Sequence, residues 1–273
     1  MPRFEFLSLM GEIQGAIQRS IDLVSFGLQA ADRLEIESLE IPGVRFRVGP
    51  AQNLAMEIEQ AREEFRTWVL SNGLRDCVDA IGPSLEWARK TCFLWTREGE
   101  VTELEEDKLR LSVQLSGEEW NVHMINEASV FDRLGLRKQL DHLQDKYHLP
   151  HPELSEAILS IRDARNCLTH RKGMVGPEDL KDGSEGGLLV KWIKLELQAR
   201  GEEGARVLEL PAEVQGGEIV SVRYVNVSKK FALGDRILFS PEEFVEISMT
   251  FLLFAMEIEN AIKALQKSRL IST

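Results

Sequence analysis

Apolar residues recur every three or four positions over most of this chain, and that spacing constrains its fold more than any other feature. The clearest case begins at Ser240-Pro241-Glu242-Glu243, where a serine, a proline at the first helical position and a glutamate three residues after the serine make a capping box. Behind it Ile247, Phe251, Phe254, Ile258, Ala261 and Leu265 alternate steps of four and three, which predicts a long terminal helix. The same period runs through Ile13, Ile17, Ile21, Val24 and Leu28, through Leu54, Ile58, Ala61, Phe65 and Trp68, and through Val78, Ile81, Leu85 and Leu94. Between the last two runs Asn72-Gly73 predicts a stop, and Gly82-Pro83 predicts a kink or split. The stretches 101–116 and 131–149 read as further helices, with charge on the faces that leucines leave free. Around Pro42-Gly43, the alternating Val44, Phe46 and Val48 predict a short extended excursion.

Residues 151–173 form another helical run, with Pro152 and Glu153 in the first turn, Arg171 and Lys172 before Gly173, and an inner face of Leu154, Ile158, Ile161 and Leu168. Composition then shifts to glycine and charge over 176–187. Alternating runs follow at 188–197, 207–210 and 219–227, predicting a small antiparallel sheet. The expected fold class is therefore mainly α: a helical bundle over residues 1–273 as one domain, with a β-rich insertion at 186–239 between the 151–173 helix and the C-terminal helix.

At 273 residues, 43% hydrophobic and 29% charged, the chain can bury a sizeable core in one large domain. Its formal net charge of -12 repels polyanions on average, which excludes bulk DNA binding and confines any nucleic-acid site to a local basic patch. The longest apolar run, around Phe251 to Met256, falls far short of the roughly 18 residues of a membrane span, and no secretory signal is visible at the amino terminus. No membrane partner and a cytoplasmic location are expected. Three cysteines, Cys77, Cys92 and Cys167, match no zinc spacing and are expected as thiols, the first two in the core. Pro150 breaks any common helical face among His142, His148 and His151 with Asp141 and Asp145, so no metal or other cofactor is expected. Gly183, Gly186 and Gly187 lack a following Gly-Lys-Ser/Thr and read as a hairpin entrance. Trp68, Trp87, Trp95, Trp120 and Trp192 could stack bases, but most lie in amphipathic runs where burial accounts for them, and Glu63, Glu64, Glu105 and Glu106 read as solvated faces.

One local pattern carries chemistry: Arg165-Asn166-Cys167-Leu168-Thr169-His170, late in a capped helix, inside a positive island that adds Arg162, Arg171 and Lys172 against only Asp163. It resembles the signature of the HEPN superfamily, an arginine, four to six residues and a histidine, with a polar residue following the arginine. The resemblance covers the motif closely and the surrounding helices at the level of fold. It implies a metal-independent endoribonuclease that works as a homodimer, with the active site at the two-fold interface. It also implies products ending in 2′,3′-cyclic phosphate and 5′-hydroxyl, and a role in stress response, toxin-antitoxin pairing or phage defence with an antitoxin or defence-system partner. The branch silenced by adenylylation carries a tyrosine two positions after the histidine; Lys172 stands there in this chain.

The residue types suit that chemistry. Cleaving RNA without a metal needs a base for the 2′-hydroxyl proton and a cation for charge developing on the phosphate, roles that His170 and Arg165 supply. At about 100° per residue, Asn166 and His170 share a helix face while Arg165 and His170 differ by about 140°, so Arg165 must reach round or serve a cleft shared with a second chain. Asn166 could hold the imidazole or contact phosphate. Arg162, Arg171 and Lys172 are the expected RNA-binding cations, and Cys167 reads as a packing residue. Two other readings stay open: a non-catalytic HEPN-like module for dimerisation or for binding RNA or protein, and a structural scaffold whose terminal cations only complement the helix dipole.

Overall fold

The computed structural model describes residues 6–33, 58–96, 100–105, 108–112, 117–180, 186–201, 204–208 and 217–271. The excursion around Pro42-Gly43, together with Leu54, Gly183 and Glu106, lies outside the described residues. Helix makes up 66% of the described residues, with a small three-stranded antiparallel sheet. Two long helices come first: α1 (Phe6–Arg33) and α2 (Ile58–Thr96). On α1 the buried stripe of Ile13, Ile17, Val24 and Leu28 follows the expected spacing, whereas on α2 the buried face is Val69, Leu70, Leu74, Cys77, Ile81 and Leu85, and Trp68 of the expected run is exposed. Val24 packs at Gly73 and Gly27 at Val69, so the two helices run in opposite directions.

The expected stop at Gly73 and split at Gly82-Pro83 do not occur: α2 passes through all three residues. At Gly73 a Cβ would press into Val24 and lie 2.7 Å from Phe244 Cζ, so this glycine serves a close approach of helices instead of ending one. Gly82 and Pro83 lie on the exposed side, where water can satisfy the carbonyl that proline's missing N–H leaves open. Residues 101–116 also depart from expectation. They hold a hairpin, β1 (Glu100–Glu105) with β2 (Lys108–Ser112), pairing Val101 with Leu111 and Leu104 with Leu109. Lys108, Leu109, Arg110 and Leu111 alternate with the period of a strand, and that alternation prevails over the looser leucine spacing. Helix α3 (Gly117–Phe131) follows where no element was assigned, and only 136–147 of the 131–149 stretch forms α4 (Leu136–Tyr147).

Helix α5 (Ser155–His170) leads through a 3₁₀ turn (Pro177–Asp179) into β3 (Gly187–Gly201), β4 (Gly204–Leu208) and β5 (Ile219–Ala232), ordered β4-β3-β5, and then into α6 (Pro241–Ile271). The β insertion thus sits where the sequence placed it. The capping box of α6 is present: the Glu243 amide donates to Ser240 Oγ (3.1 Å) and the Ser240 amide to Glu243 Oε2 (2.9 Å). Strand β3 is joined to both neighbouring helices by side chain to backbone bonds, Lys191 N–H to Ser160 Oγ (2.8 Å) and Ile193 N–H to Thr250 Oγ1 (3.0 Å). Trp192 adds an indole N–H bond to Glu246 Oε2 (2.7 Å). Phe251 and Phe254 of α6, Ile158 and Ile161 of α5, and Trp192 of β3 close one continuous core. Among the described residues no helix is long and apolar enough to cross a membrane.

Among the described residues Arg89 on α2 is the one basic side chain in the buried interior. Its side chain is 0% exposed, Glu86 lies 3.8 Å away, beyond hydrogen-bonding distance, and none of its three guanidinium nitrogens has a hydrogen-bond partner among the described residues. It lies over the Phe131 ring, 5.9 Å from the centroid. Burial and this cation hold the His142 imidazole below its ordinary range. Glu127 at 3.7 Å does not reverse that, since its carboxylate is engaged by the Lys146 ammonium and the Tyr147 hydroxyl.

Two outcomes follow from this packing. Gly73→Ala gains helix propensity yet overfills the α1–α2–α6 junction, and urea denaturation should show a net loss of about 1–3 kcal/mol. Arg89→Met removes an unsatisfied buried charge: the melting temperature should hold or rise, and the His142 titration followed by NMR should move to higher pH. An unmoved midpoint would show that Arg89 does not act on that imidazole.

Candidate functional site

Helix α5 is placed by its buried face, Ile158, Ile161, Ala164, Cys167 and Leu168, packed against α2, α6 and β3. That leaves Arg162, Arg165 and Asn166 half-buried and Thr169 and His170 exposed. The helix ends in a tight turn. The amides of Arg171 and Gly173 both donate to the Cys167 carbonyl (2.9 and 3.2 Å), and Lys172 and Gly173 take left-handed conformations at φ 53° and 76°. A Cβ at Gly173 would meet Leu168 and Thr67 within 3.3 Å, so the turn is pressed against α2. Backbone bonds from Ile237 N–H to the Gly173 carbonyl (2.8 Å) and from Val175 N–H to the Asp235 carbonyl (2.9 Å) fasten it to the segment after β5.

The cations of the island divide into two groups. Arg171 forms a two-pronged pair with Asp179, including Nε to Oδ2 at 2.8 Å, and Asp179 is 3% exposed and also accepts from the Gly176 amide (2.9 Å). Arg162 donates to Asp163 (3.1 Å), Lys172 lies 3.8 Å from Glu64, and Arg236, which the motif did not include, lies 3.6 Å from Glu63. Arg165 and His170 differ from these: neither has a carboxylate partner among the described residues. The Arg165 guanidinium instead donates through Nη1 to the Asn166 side-chain oxygen (3.2 Å), while its Nε is buried without a partner. Asn166 therefore serves the arginine and makes no bond to the imidazole. Asn166 is one turn from His170, so this bond links the guanidinium to a residue of the His170 face.

Cys167 is buried, its thiol donates to the Met174 carbonyl (3.2 Å), and burial pushes its pKa up to about 11, which suits packing and not nucleophilic attack. Cys77 and Cys92 are buried free thiols in the core. His151 lies 3.4 Å from Asp141, and among the described residues no group of three or more His, Cys, Asp or Glu could hold a metal ion. Gly186, at φ 73°, makes the turn into β3. Of the tryptophans, Trp192 is buried and Trp68 is not: it is 62% exposed on α2. Arg236 and Trp68 were missed as site neighbours because nothing in the linear pattern joins α2 and the segment after β5 to the end of α5.

The pairing pattern separates structural from available cations. Arg171→Met leaves Asp179 buried without its partner and should cost about 3 kcal/mol in denaturant titration, whereas Lys172→Ala, on an exposed pair, should change stability by less than about 1 kcal/mol. Equal effects would refute that division. No family model, curated protein or solved structure matches the chain.

Proposed function

We propose that this protein is a metal-independent endoribonuclease of HEPN type. One observation supports the reading most: Arg165, held by Asn166 on the side of α5 that His170 shares, is the one arginine of the island with no carboxylate partner among the described residues. A guanidinium with unused donors beside an exposed imidazole suits a phosphodiester. In the proposed step His170 takes the 2′-hydroxyl proton and the 2′-oxygen attacks phosphorus. The bond to the 5′-oxygen breaks, and that oxygen leaves with a proton from an acid supplied by a second copy's histidine or by water. Arg165 neutralises the negative charge that builds on the non-bridging oxygens. The products are a 2′,3′-cyclic phosphate and a 5′-hydroxyl. DNA lacks the attacking group, so the substrate is RNA. The proposed active form is a homodimer, and Lys172, whose contact with Glu64 is long and exposed, exchanges its carboxylate for a phosphate on binding, while Arg162, half-buried against Asp163, adds to the positive field of the island. Arg171, committed to Asp179, positions the turn.

A non-catalytic binding module is the second reading. It draws on the outer end of the sheet, where Ile219, Val220, Val222 and Tyr224 stay exposed.

Incubation with single-stranded RNA in EDTA separates the two. Cleavage should occur and leave cyclic phosphate ends. His170→Ala should lower the rate about 10²–10⁴-fold and Arg165→Ala by about 10²–10³-fold. Asn166→Ala, which frees the guanidinium without removing it, should lose less than Arg165→Ala. Cleavage that survives in both His170→Ala and Arg165→Ala would refute the nuclease reading, and binding without turnover would favour the module.

A further inference from the structure

Resting on the nuclease reading above, we infer that Trp68, backed by Phe65, is a stacking platform for an unpaired base next to the phosphate held at Arg165 and His170. Position on α2 carries the argument. Glu64 and Ser71 lie on one side of this helix and both touch the end of α5: Glu64 pairs with Lys172 (3.8 Å) and the Ser71 hydroxyl bonds that of Thr169 (3.0 Å). Thr169 and Lys172 bracket His170 in the sequence. Trp68 falls between Glu64 and Ser71 along the axis, turned by about 40° from the first and about 60° from the second toward solvent. It therefore borders the turn that presents His170.

The ring is also prepared for stacking. Phe65, one turn back and about 60° further round, lies nearly parallel to the indole with centroids 6.0 Å apart and planes inclined by 16°. Phe65 is itself packed on the core, so it restrains the indole from the side away from α5. On the α5 side its helix neighbours are Glu64 and Ser71, both polar and both joined to the end of α5, and the Asn72 amide bonds the Trp68 carbonyl (2.7 Å). That polar side is unlike the apolar core of a dry protein interface, and the exposed apolar residues Leu23 and Phe26 stand on α1, away from α5. The ring with its polar side matches a nucleobase, which presents a flat face for stacking and a polar edge and backbone to its surroundings. Bases in a duplex are stacked on one another, so the platform selects single strands.

The test uses the full-length protein and single-stranded RNA with 2′-O-methyl groups throughout, which cannot be cleaved by 2′-oxygen attack, with binding read by fluorescence anisotropy. Trp68→Ala should weaken binding about tenfold or more, Trp68→Phe should restore most of it, and a duplex of the same sequence should bind both proteins weakly. A strand with abasic sites should bind wild type and Trp68→Ala equally, an outcome that a general folding defect would not produce. Equal binding of the base-containing strand by wild type and Trp68→Ala would overturn the platform while leaving the nuclease reading intact, provided that cleavage of unmodified RNA still depends on His170 and Arg165. Loss of that cleavage dependence would remove the nuclease reading itself. Sedimentation gives the last arm: a dimer that Trp68→Ala converts to monomer would show that a second copy covers the ring, and would overturn the platform.

Discussion

Burial of α5 on three sides is the constraint from which the site follows. With Ile158, Ile161, Ala164, Cys167 and Leu168 committed to the interior, this helix cannot rotate without exposing its apolar face, at a cost of about 1.5–3 kcal/mol for each large side chain. Which residues emerge at its last turn is therefore settled by packing, before any electrostatics is considered. The β insertion contributes to that rigidity. Ser160 and Thr250 lend their hydroxyls to backbone amides of β3, so the strand, the motif helix and α6 form one wall. The left-handed turn at Lys172-Gly173 and the Arg171–Asp179 pair then hold the chain where it leaves the helix.

Charge is arranged on this frame with a definite order. In a chain of net charge -12, each cation near the end of α5 except Arg165 finds a carboxylate close by among the described residues. The pairs differ in kind. Asp179 is enclosed and bonded twice by Arg171, so opening it would strand a buried charge. The Glu64–Lys172 contact is long and exposed, of the sort worth about 0–1 kcal/mol, and a phosphate can compete for that lysine. The island is thus less positive than its composition implies, and what remains available is narrower and better directed.

The terminal helix, its capping box, the motif helix and the position of the sheet were legible in the sequence because each depends on local signals: a cap, a period, an alternation. Gly73 was misread for the opposite reason. A glycine that admits Val24 and Phe244 looks, in sequence, the same as a glycine that ends a helix, and only the partner helices distinguish them. The hairpin at β1 and β2 was misread because Leu104, Leu111 and Leu115, seven and four apart, satisfy a helical count while Leu109 and Leu111, two apart, satisfy a strand alternation. At the proposed site, the motif supplied the candidate residues but not their partners. Asp179 as the anchor of Arg171, Asn166 as the partner of Arg165, and Trp68 as a neighbour from a distant helix all depend on tertiary placement.

That placement bears on how one helix can serve a two-residue mechanism. Arg165 and His170 leave the α5 axis about 140° apart, which by backbone direction alone would put them on different flanks. The bond to Asn166, the next residue round, ties the guanidinium to the face that His170 shares. A strand crossing the end of α5 would then meet the guanidinium and the imidazole in succession, about one helical turn apart, with the indole of Trp68 beyond the turn. In the proposed homodimer a two-fold axis beside this end would repeat the series in reverse, so that each phosphate meets an arginine of one copy and a histidine of either. Among the described residues α2, β3 and α6 pack on α5, and the half-buried Arg165 and Asn166 with the exposed His170 mark the flank they leave uncovered, beside which such an axis would run.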